Sequence, residues 1–245
     1  MDAEIDELAK YLVAKLDSVA PPERFVIGIA GIPASGKSTF AQLLTTRVNE
    51  ILADRRDQGT EEETTAEGTL EHDEAILISL DGWHLTREQL NDFPNSQEAH
   101  DRRGIHWTFD SAGYVAFLRR LRNLKNTSTL TAPTFDHALK DPTPDAISIG
   151  LNHRIVIIEG LYVFLNIEPW QSGGRLLDER WFLEIDEQEA RERIVKRHVL
   201  TGVAKDSFEA GWRADENDMP NGKFILENML DPTRVIKSKN MPIVS

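Results

Sequence analysis

The chain contains no cysteine, which excludes disulfides and thiolate metal sites. It also has no uncharged apolar run near the roughly 20 residues that a membrane-spanning helix needs. The longest candidate, Ile155 to Ile167, is broken by Glu159. The first residues, Met1-Asp2-Ala3-Glu4-Ile5-Asp6-Glu7, are acidic and lack the basic and apolar regions of a secretory signal. An intracellular, cytoplasmic location is the expectation that follows. Positive charge is scarce too: 28 Lys and Arg face 41 Asp and Glu, a net charge of −13. A surface of that sign does not suit non-specific binding to nucleic acid or anionic membrane, so neither is an expected partner. The imbalance is uneven. Glu61, Glu62, Glu63, Glu67, Glu71, Asp73 and Glu74 contribute −7 with no Lys or Arg among them. With almost no apolar content, Gln58 to Glu74 reads as an acidic flexible loop, either simply solvated or a tail that recognises a partner.

What is present is a substantial core: 40% of the 245 residues are hydrophobic. That length suits one α/β domain, residues 1–245, with a mobile sub-element. Ile5, Leu8, Leu12, Leu16 and Val19 recur at helical spacing, which predicts a helix over Asp2–Val19 that Pro21-Pro22 ends. Phe25 to Ala30 is almost continuously apolar and reads as a buried parallel strand. Ser38 to Ile51 returns to helical spacing. Further buried strands are expected at 76–80, 154–158 and 180–185, with a last strand at 233–236. Helices are expected at 111–124, capped by Asp110 or Ser111, and at 187–200 and 222–230. Apolar strands alternating with helices imply a parallel sheet of five strands covered on both faces, a three-layer sandwich.

Between the first strand and its helix lies Gly31-Ile32-Pro33-Ala34-Ser35-Gly36-Lys37-Ser38. It matches G-x-x-x-x-G-K-[ST] throughout. Glycines permit torsions that turn successive backbone N–H groups toward phosphate oxygens. The helix that follows aims its positive end at the same anion. Gly31, Pro33, Ala34, Ser35, Gly36, Lys37, Ser38 and Thr39 are therefore the candidate nucleotide-binding residues. Lys37 can reach the β- and γ-phosphates, and the Ser38 hydroxyl can ligate Mg²⁺. ATP and Mg²⁺ are the expected cofactors.

Two acids follow two of the buried strands: Asp81 and Glu159. Ligands of open α/β sheets bind at the carboxyl ends of strands, so both should face the phosphate loop. Phosphoryl transfer needs one carboxylate at the metal and gains from another that accepts the proton of an attacking hydroxyl. A helix cap or a surface position is the plainer alternative for each.

The phosphate loop, Leu80-Asp81-Gly82-Trp83-His84, Thr108-Phe109-Asp110, Ala132-Pro133-Thr134-Phe135-Asp136-His137 and Ile158-Glu159-Gly160 occur in that order. Together they resemble the phosphoribulokinase/uridine kinase group of P-loop kinases, which also holds the bacterial pantothenate kinases. The likeness spans roughly Arg24 to Ile236 and is greatest to fungal uridine-kinase-like ATP-dependent kinases and bacterial nucleoside/nucleotide kinase-like proteins. The resemblance implies a small-molecule kinase acting on a hydroxyl of a nucleoside, sugar, pantothenate-like or organic acid acceptor. It implies that Asp81 activates that hydroxyl, that Glu159 stands near Mg²⁺, and that Phe135 and His137 help hold the acceptor. It also implies a lid over 191–211 whose arginines close on the phosphates, with Arg193 and Arg197 as the catalytic pair. Those two share a helix face, and guanidinium groups suit bidentate phosphate contact; a solvated face paired with Glu187, Glu189 and Glu192 is the alternative.

Uridine kinases carry Ser-Phe-Tyr-type residues after the strand-end Asp, where this chain has Gly82-Trp83-His84, so uridine is a weaker expectation. His84 is a candidate acceptor contact, or packs beside Trp83. Arg103, in the basic loop Arg102-Arg103-Gly104, either meets an anionic acceptor or lies on the surface. Trp107 and Trp212 either line the acceptor pocket or pack in the core, the second being the expectation for each. Two other functions fit the loop: an NTPase that drives a protein partner, and a non-catalytic nucleotide-binding regulator. No Asn-Lys-x-Asp guanine element is present. Beyond the small acceptor, a homodimer partner is left open.

Overall fold

The computed structural model describes residues 2–59, 74–123, 129–136 and 138–239. The strands are β1 (Phe25–Ala30), β2 (Ala75–Ser79), β3 (Leu130–Asp136), β4 (Asp141–Ile149), β5 (Ile155–Glu159), β6 (Glu179–Glu184) and β7 (Arg234–Lys237). The helices are α1 (Asp2–Asp17), α2 (Lys37–Gly59), α3 (Arg87–Asn91), α4 (Ser96–Asp101), α5 (Ser111–Leu121), α6 (Trp170–Gly174), α7 (Glu187–Leu200), α8 (Ser207–Arg213) and α9 (Met219–Asn228).

Five strands form one parallel sheet in the order β2-β5-β1-β6-β7, as expected from the alternating pattern. Successive strand residues point to opposite faces, and both faces are apolar. Val26, Ile78, Val156, Ile158 and Phe182 pack on one side with Tyr114, Tyr162 and Trp170. Phe25, Ile27, Ile29, Ile155, Ile157 and Trp181 pack on the other, under the apolar stripes of α1 and α2. Among the described residues no helix is long and apolar enough to cross a membrane.

The sequence pattern predicts that the strand ending at Asp81 neighbours the phosphate loop, and the strand order corrects this. β2 does not neighbour the phosphate-loop strand; β5 lies between them, so Glu159 rather than Asp81 ends the adjacent strand. Element ends also differ. α2 continues to residue 59, so Gln58 and Gly59 belong to it rather than to a loop. α1 stops at Asp17, and α9 begins three residues before Gly222. Leu124, most of the acidic stretch and His137 lie outside the described residues.

An antiparallel hairpin of β3 and β4 was not anticipated. Pro133 interrupts the β3 pattern and coincides with a register shift between Ala132 and Thr134. Pro142 and Pro144 similarly obscure β4. The hairpin packs against the turn Leu80–Trp83 that follows β2, bringing Phe135 beside His84.

Candidate active site

The phosphate loop leaves β1 and enters α2 at Lys37. Its torsions differ in detail from the sequence expectation. Gly36 has a positive φ of 86°, but the other left-handed residue is Ala34, with φ 60°. Gly31 matters for space instead: a Cβ there would lie 2.9 Å from the Leu183 carbonyl oxygen and would also strike Ser35 Oγ. Pro33 has no N–H to offer a phosphate. It walls the loop, and α9 packs closely beside it; a Cβ at Gly222 would sit 3.3 Å from Ile32 Cβ. Ser35 is fully buried and its hydroxyl has no hydrogen-bond partner among the described residues.

Three charged groups converge at the loop. Ser38 Oγ donates to Glu159 Oε2 at 3.1 Å, and Ser79 Oγ donates to Glu159 Oε1 at 2.7 Å. Ser79 also accepts from the Asp81 backbone N–H at 3.3 Å, capping the turn that carries Asp81. One serine thus ties the two acids together. Its side chain lies on the face of β2 that points to the site, a placement the linear pattern does not single out. Glu159 is buried, and burial pushes its carboxyl above the usual carboxylate range against the opposing pull of Lys37. Burial likewise lowers the Lys37 ammonium, while Glu159 and Asp81 favour its charged form. Each group is thus poised to gain from a charged ligand: an anion at Lys37, a cation at Glu159.

Asp218, which the sequence reading missed, joins this group. It lies in the π-turn Ala214–Asp218 just before α9 and acts on the charge of Lys37. Burial raises its carboxyl, opposed by His198, Arg197 and Lys37. His198 Nε2 stands 3.5 Å from Asp218 Oδ2. The only linear hint is the acidic cluster Asp215-Glu216-Asn217-Asp218 just after α8.

The arginines of α7 divide. Arg191 makes a bidentate pair with Asp215, at 2.6 and 2.8 Å, within the helical segment itself. Arg193 pairs with Glu189 at 2.6 Å and reaches the phosphate loop, with Nη1 3.5 Å from the Ala34 carbonyl oxygen and 3.2 Å from Ser238 Oγ. Ser238 in turn donates to the Ser35 carbonyl at 2.7 Å. Arg197 is exposed, has no carboxylate hydrogen bond among the described residues, and lies close enough to Lys37 to depress its ammonium.

On the far side of Asp81, the His84 ring lies between Phe109 and Phe135, at centroid distances of 4.0 and 5.0 Å. Its Nδ1 is 2.8 Å from the Asp81 carbonyl oxygen. A carbonyl only accepts, so Nδ1 carries the proton in this contact. His84 therefore does not pack beside Trp83, whose neighbours are Tyr114 and Phe117. Arg103 is neither loose nor on the surface. It donates to the Leu85 carbonyl at 2.6 Å, to Asp141 Oδ1 at 2.7 Å and to the Lys140 carbonyl at 2.5 Å, and it lies over the Phe135 ring. It pins the hairpin to the His84 loop. Trp107 packs on Phe93, whereas Trp212 is 60% exposed, against the expectation of core packing. Asp110 caps α5 by accepting from the Gly113 N–H at 2.8 Å.

A strand–loop–helix unit with Lys37 at the helix start and two strand-end acids beside it defines a P-loop nucleotide-binding protein. Residues 26–168 match the Phosphoribulokinase / Uridine kinase family. The chain is 44% identical over 153 residues to the ATP-dependent kinase-like protein notR' of Aspergillus versicolor, covering 62% of this chain and 89% of that protein. It is 34% identical over 222 residues to C227.14 of Schizosaccharomyces pombe, whose name proposes a uridine kinase, covering 91% of this chain and 86% of that protein. The crystal structure of YFH7 from Saccharomyces cerevisiae superposes with a TM-score of 0.82 at 24% identity, over 97% of this chain and 99% of that one. The chain belongs to the Phosphoribulokinase / Uridine kinase family and has the P-loop kinase fold.

Proposed function

We propose that the protein transfers the γ-phosphoryl group of ATP, with Mg²⁺, to a hydroxyl of a small metabolite. The observation that carries this reading is the meeting of Lys37, Ser38, Glu159 and Asp81, with Ser38 and Glu159 3.1 Å apart and Ser79 joining the two acids. The residues suit Mg²⁺, which keeps several waters and takes one or two protein oxygens plus phosphate oxygens. Ser38 Oγ and the Glu159 carboxylate would hold it, and a buried carboxylate beside a hydroxyl is stabilised by such a cation. When bound, Mg²⁺ neutralises charge on the β- and γ-phosphates.

The chain's own groups supply the rest. Loop N–H groups and the α2 N-terminus cradle the phosphates, and Lys37 offsets their charge. Asp81, with a side chain 46% exposed, is open to an incoming acceptor. It takes the hydroxyl proton as the oxygen attacks the γ-phosphorus, and the bond to the bridging oxygen of ADP breaks. We assign the segment 191–211 to a lid whose closure brings Arg193 or Arg197 onto the phosphates and excludes water. Phe135, with His84 and Arg103 behind it, shapes the hairpin side of the acceptor site.

The deciding experiment measures ADP release with and without added hydroxyl compounds. Release should depend on an acceptor, and Asp81→Asn should lower it by ~10²–10⁴-fold while leaving nucleotide affinity nearly unchanged. Acceptor-independent hydrolysis at an equal rate would favour an ATPase instead.

A further inference from the structure

The helices α7 and α8 pack on each other and leave an apolar face open to solvent. Among the described residues ten large hydrophobic side chains are exposed, and five of them, Val199, Leu200, Val203, Phe208 and Trp212, fall between 199 and 212. Half of the exposed apolar side chains thus gather in one short segment, which makes a patch rather than scattered single residues. Phe208 is the extreme, 86% exposed, and Trp212 lies one turn further along the same face of α8. The two rings together offer on the order of 300 Å² of surface.

Beside Phe208 a groove of about 400 Å³ runs along α7. Glu192, Val195, Lys196 and Val199 line it at helical spacing, and Leu200 and Ser207 close its end. Phe208 follows Ser207 directly, so a projecting ring adjoins a groove wide enough to hold one. Val195 and Val199 come two residues after Arg193 and Arg197, roughly 200° around the helix. The groove therefore faces away from the phosphate loop that Arg193 reaches, and neither nucleotide nor acceptor fills it.

The charge of this face indicates what covers it. The chain carries −13, so two copies repel over most of their surface. Residues 187–213 are the exception, with six Lys and Arg against five Asp and Glu. Glu192, Lys196 and Lys205 form no ion pair among the described residues. A two-fold axis sets the same patch of two copies face to face. Each unpaired acid then meets an unpaired base, and each Phe208 has a groove to enter. An anionic membrane needs a basic face instead, and this one is nearly balanced.

We infer that this face binds a second copy of the chain. In the resulting two-fold dimer Phe208 of each copy enters the α7 groove of the other, and Glu192 pairs with Lys196 or Lys205 across the axis. The two rings, the three aliphatic side chains and the charged rim supply most of the ~800 Å² per copy that a stable interface buries.

Sedimentation velocity of the intact protein over a range of concentrations should show a monomer–dimer equilibrium. Phe208→Ser should weaken the dimer roughly tenfold or more. Its circular dichroism spectrum should not change, since a ring 86% exposed supports little of its own chain. Lys196→Glu with Lys205→Glu should weaken the dimer as well, and adding Glu192→Lys should restore part of that loss, as a patch that faces itself requires. A monomer at every concentration overturns the inference, whether the face then captures another protein, phosphatidylserine vesicles or nothing. A dimer that Phe208→Ser and the double lysine reversal both leave unchanged overturns it too, by placing the interface elsewhere.

Discussion

The phosphate loop and the cavity walled by Asp218 share Lys37 as a neighbour, yet they are built differently. The loop is mostly backbone. It is suspended between a fully buried strand and a long helix, and its carbonyls are tied by Arg193 and Ser238. The cavity and the hairpin side are mostly side chains on short elements: the end of α4, the π-turn before α9, and the Phe135 strand held by Arg103. A backbone cradle recognises any phosphate chain and tolerates little change. Side-chain walls can be re-lined by single substitutions, which is how one fold serves many functions.

The comparison is broken most severely at Lys37. Lys37→Ala should abolish turnover, by roughly 10³-fold or more, because Lys37 is the cation built into the start of α2 at the phosphate loop. Calorimetry with ATP should show weakened binding in the same variant, while acceptor-side changes should not.

A second break lies at Gly82. A Cβ there would come within 2.6 Å of the Pro133 carbonyl carbon, a backbone clash that no rotamer relieves. Gly82→Ala should cost roughly 1–3 kcal/mol of stability as the hairpin shifts. Acceptor KM should rise with ATP affinity preserved, measured by chemical denaturation and by steady-state kinetics.

The arginines of α7 should show a smaller, graded effect. Arg193 is tethered to the loop and Arg197 is not. Arg193→Ala should therefore raise the KM for ATP, whereas Arg197→Ala should lower kcat, each by roughly 10–100-fold. Equal kinetic signatures would mean that both arginines act in the same step.

The smallest effect concerns the scaffold. Glu179 accepts from Tyr11 Oη at 2.5 Å, from Trp181 Nε1 at 3.0 Å and from Thr233 Oγ1 at 2.5 Å, tying α1 to β6 and the entry to β7. Burial would raise its carboxyl, but these hydrogen bonds and Arg234 outweigh it and hold it below its usual value. A depressed carboxyl stabilises the fold above its unfolded pKa of about 4.3 and loses that effect as pH falls through the folded value. Glu179→Gln should cost about 1 kcal/mol at pH 7, and thermal melts of the two proteins should converge toward pH 3.

Much of the phosphate side was legible because its signals are local. The run Phe25–Ala30, the loop 31–38 and the helical period after it lie in one stretch, and each buried strand repeats the same apolar pattern. Asp81 and Glu159 could be placed at strand ends from those runs alone. The hairpin was hidden because Pro133, Pro142 and Pro144 interrupt its pattern. Trp212 was misplaced because the character of an aromatic side chain does not say whether its helix face is covered.

The sequence by itself determined the parallel sheet, the phosphate loop, the charged helix Glu187–Leu200 and the two strand-end acids, since all of these follow from periodicity and short-range motifs. Only the tertiary structure decided the strand order that puts Glu159 next to the loop, the serine that joins it to Asp81, the pinning role of Arg103, and the arrival of Asp218 beside Lys37 from 181 residues along the chain. These depend on which distant segments the folded core brings together, and no local pattern records that.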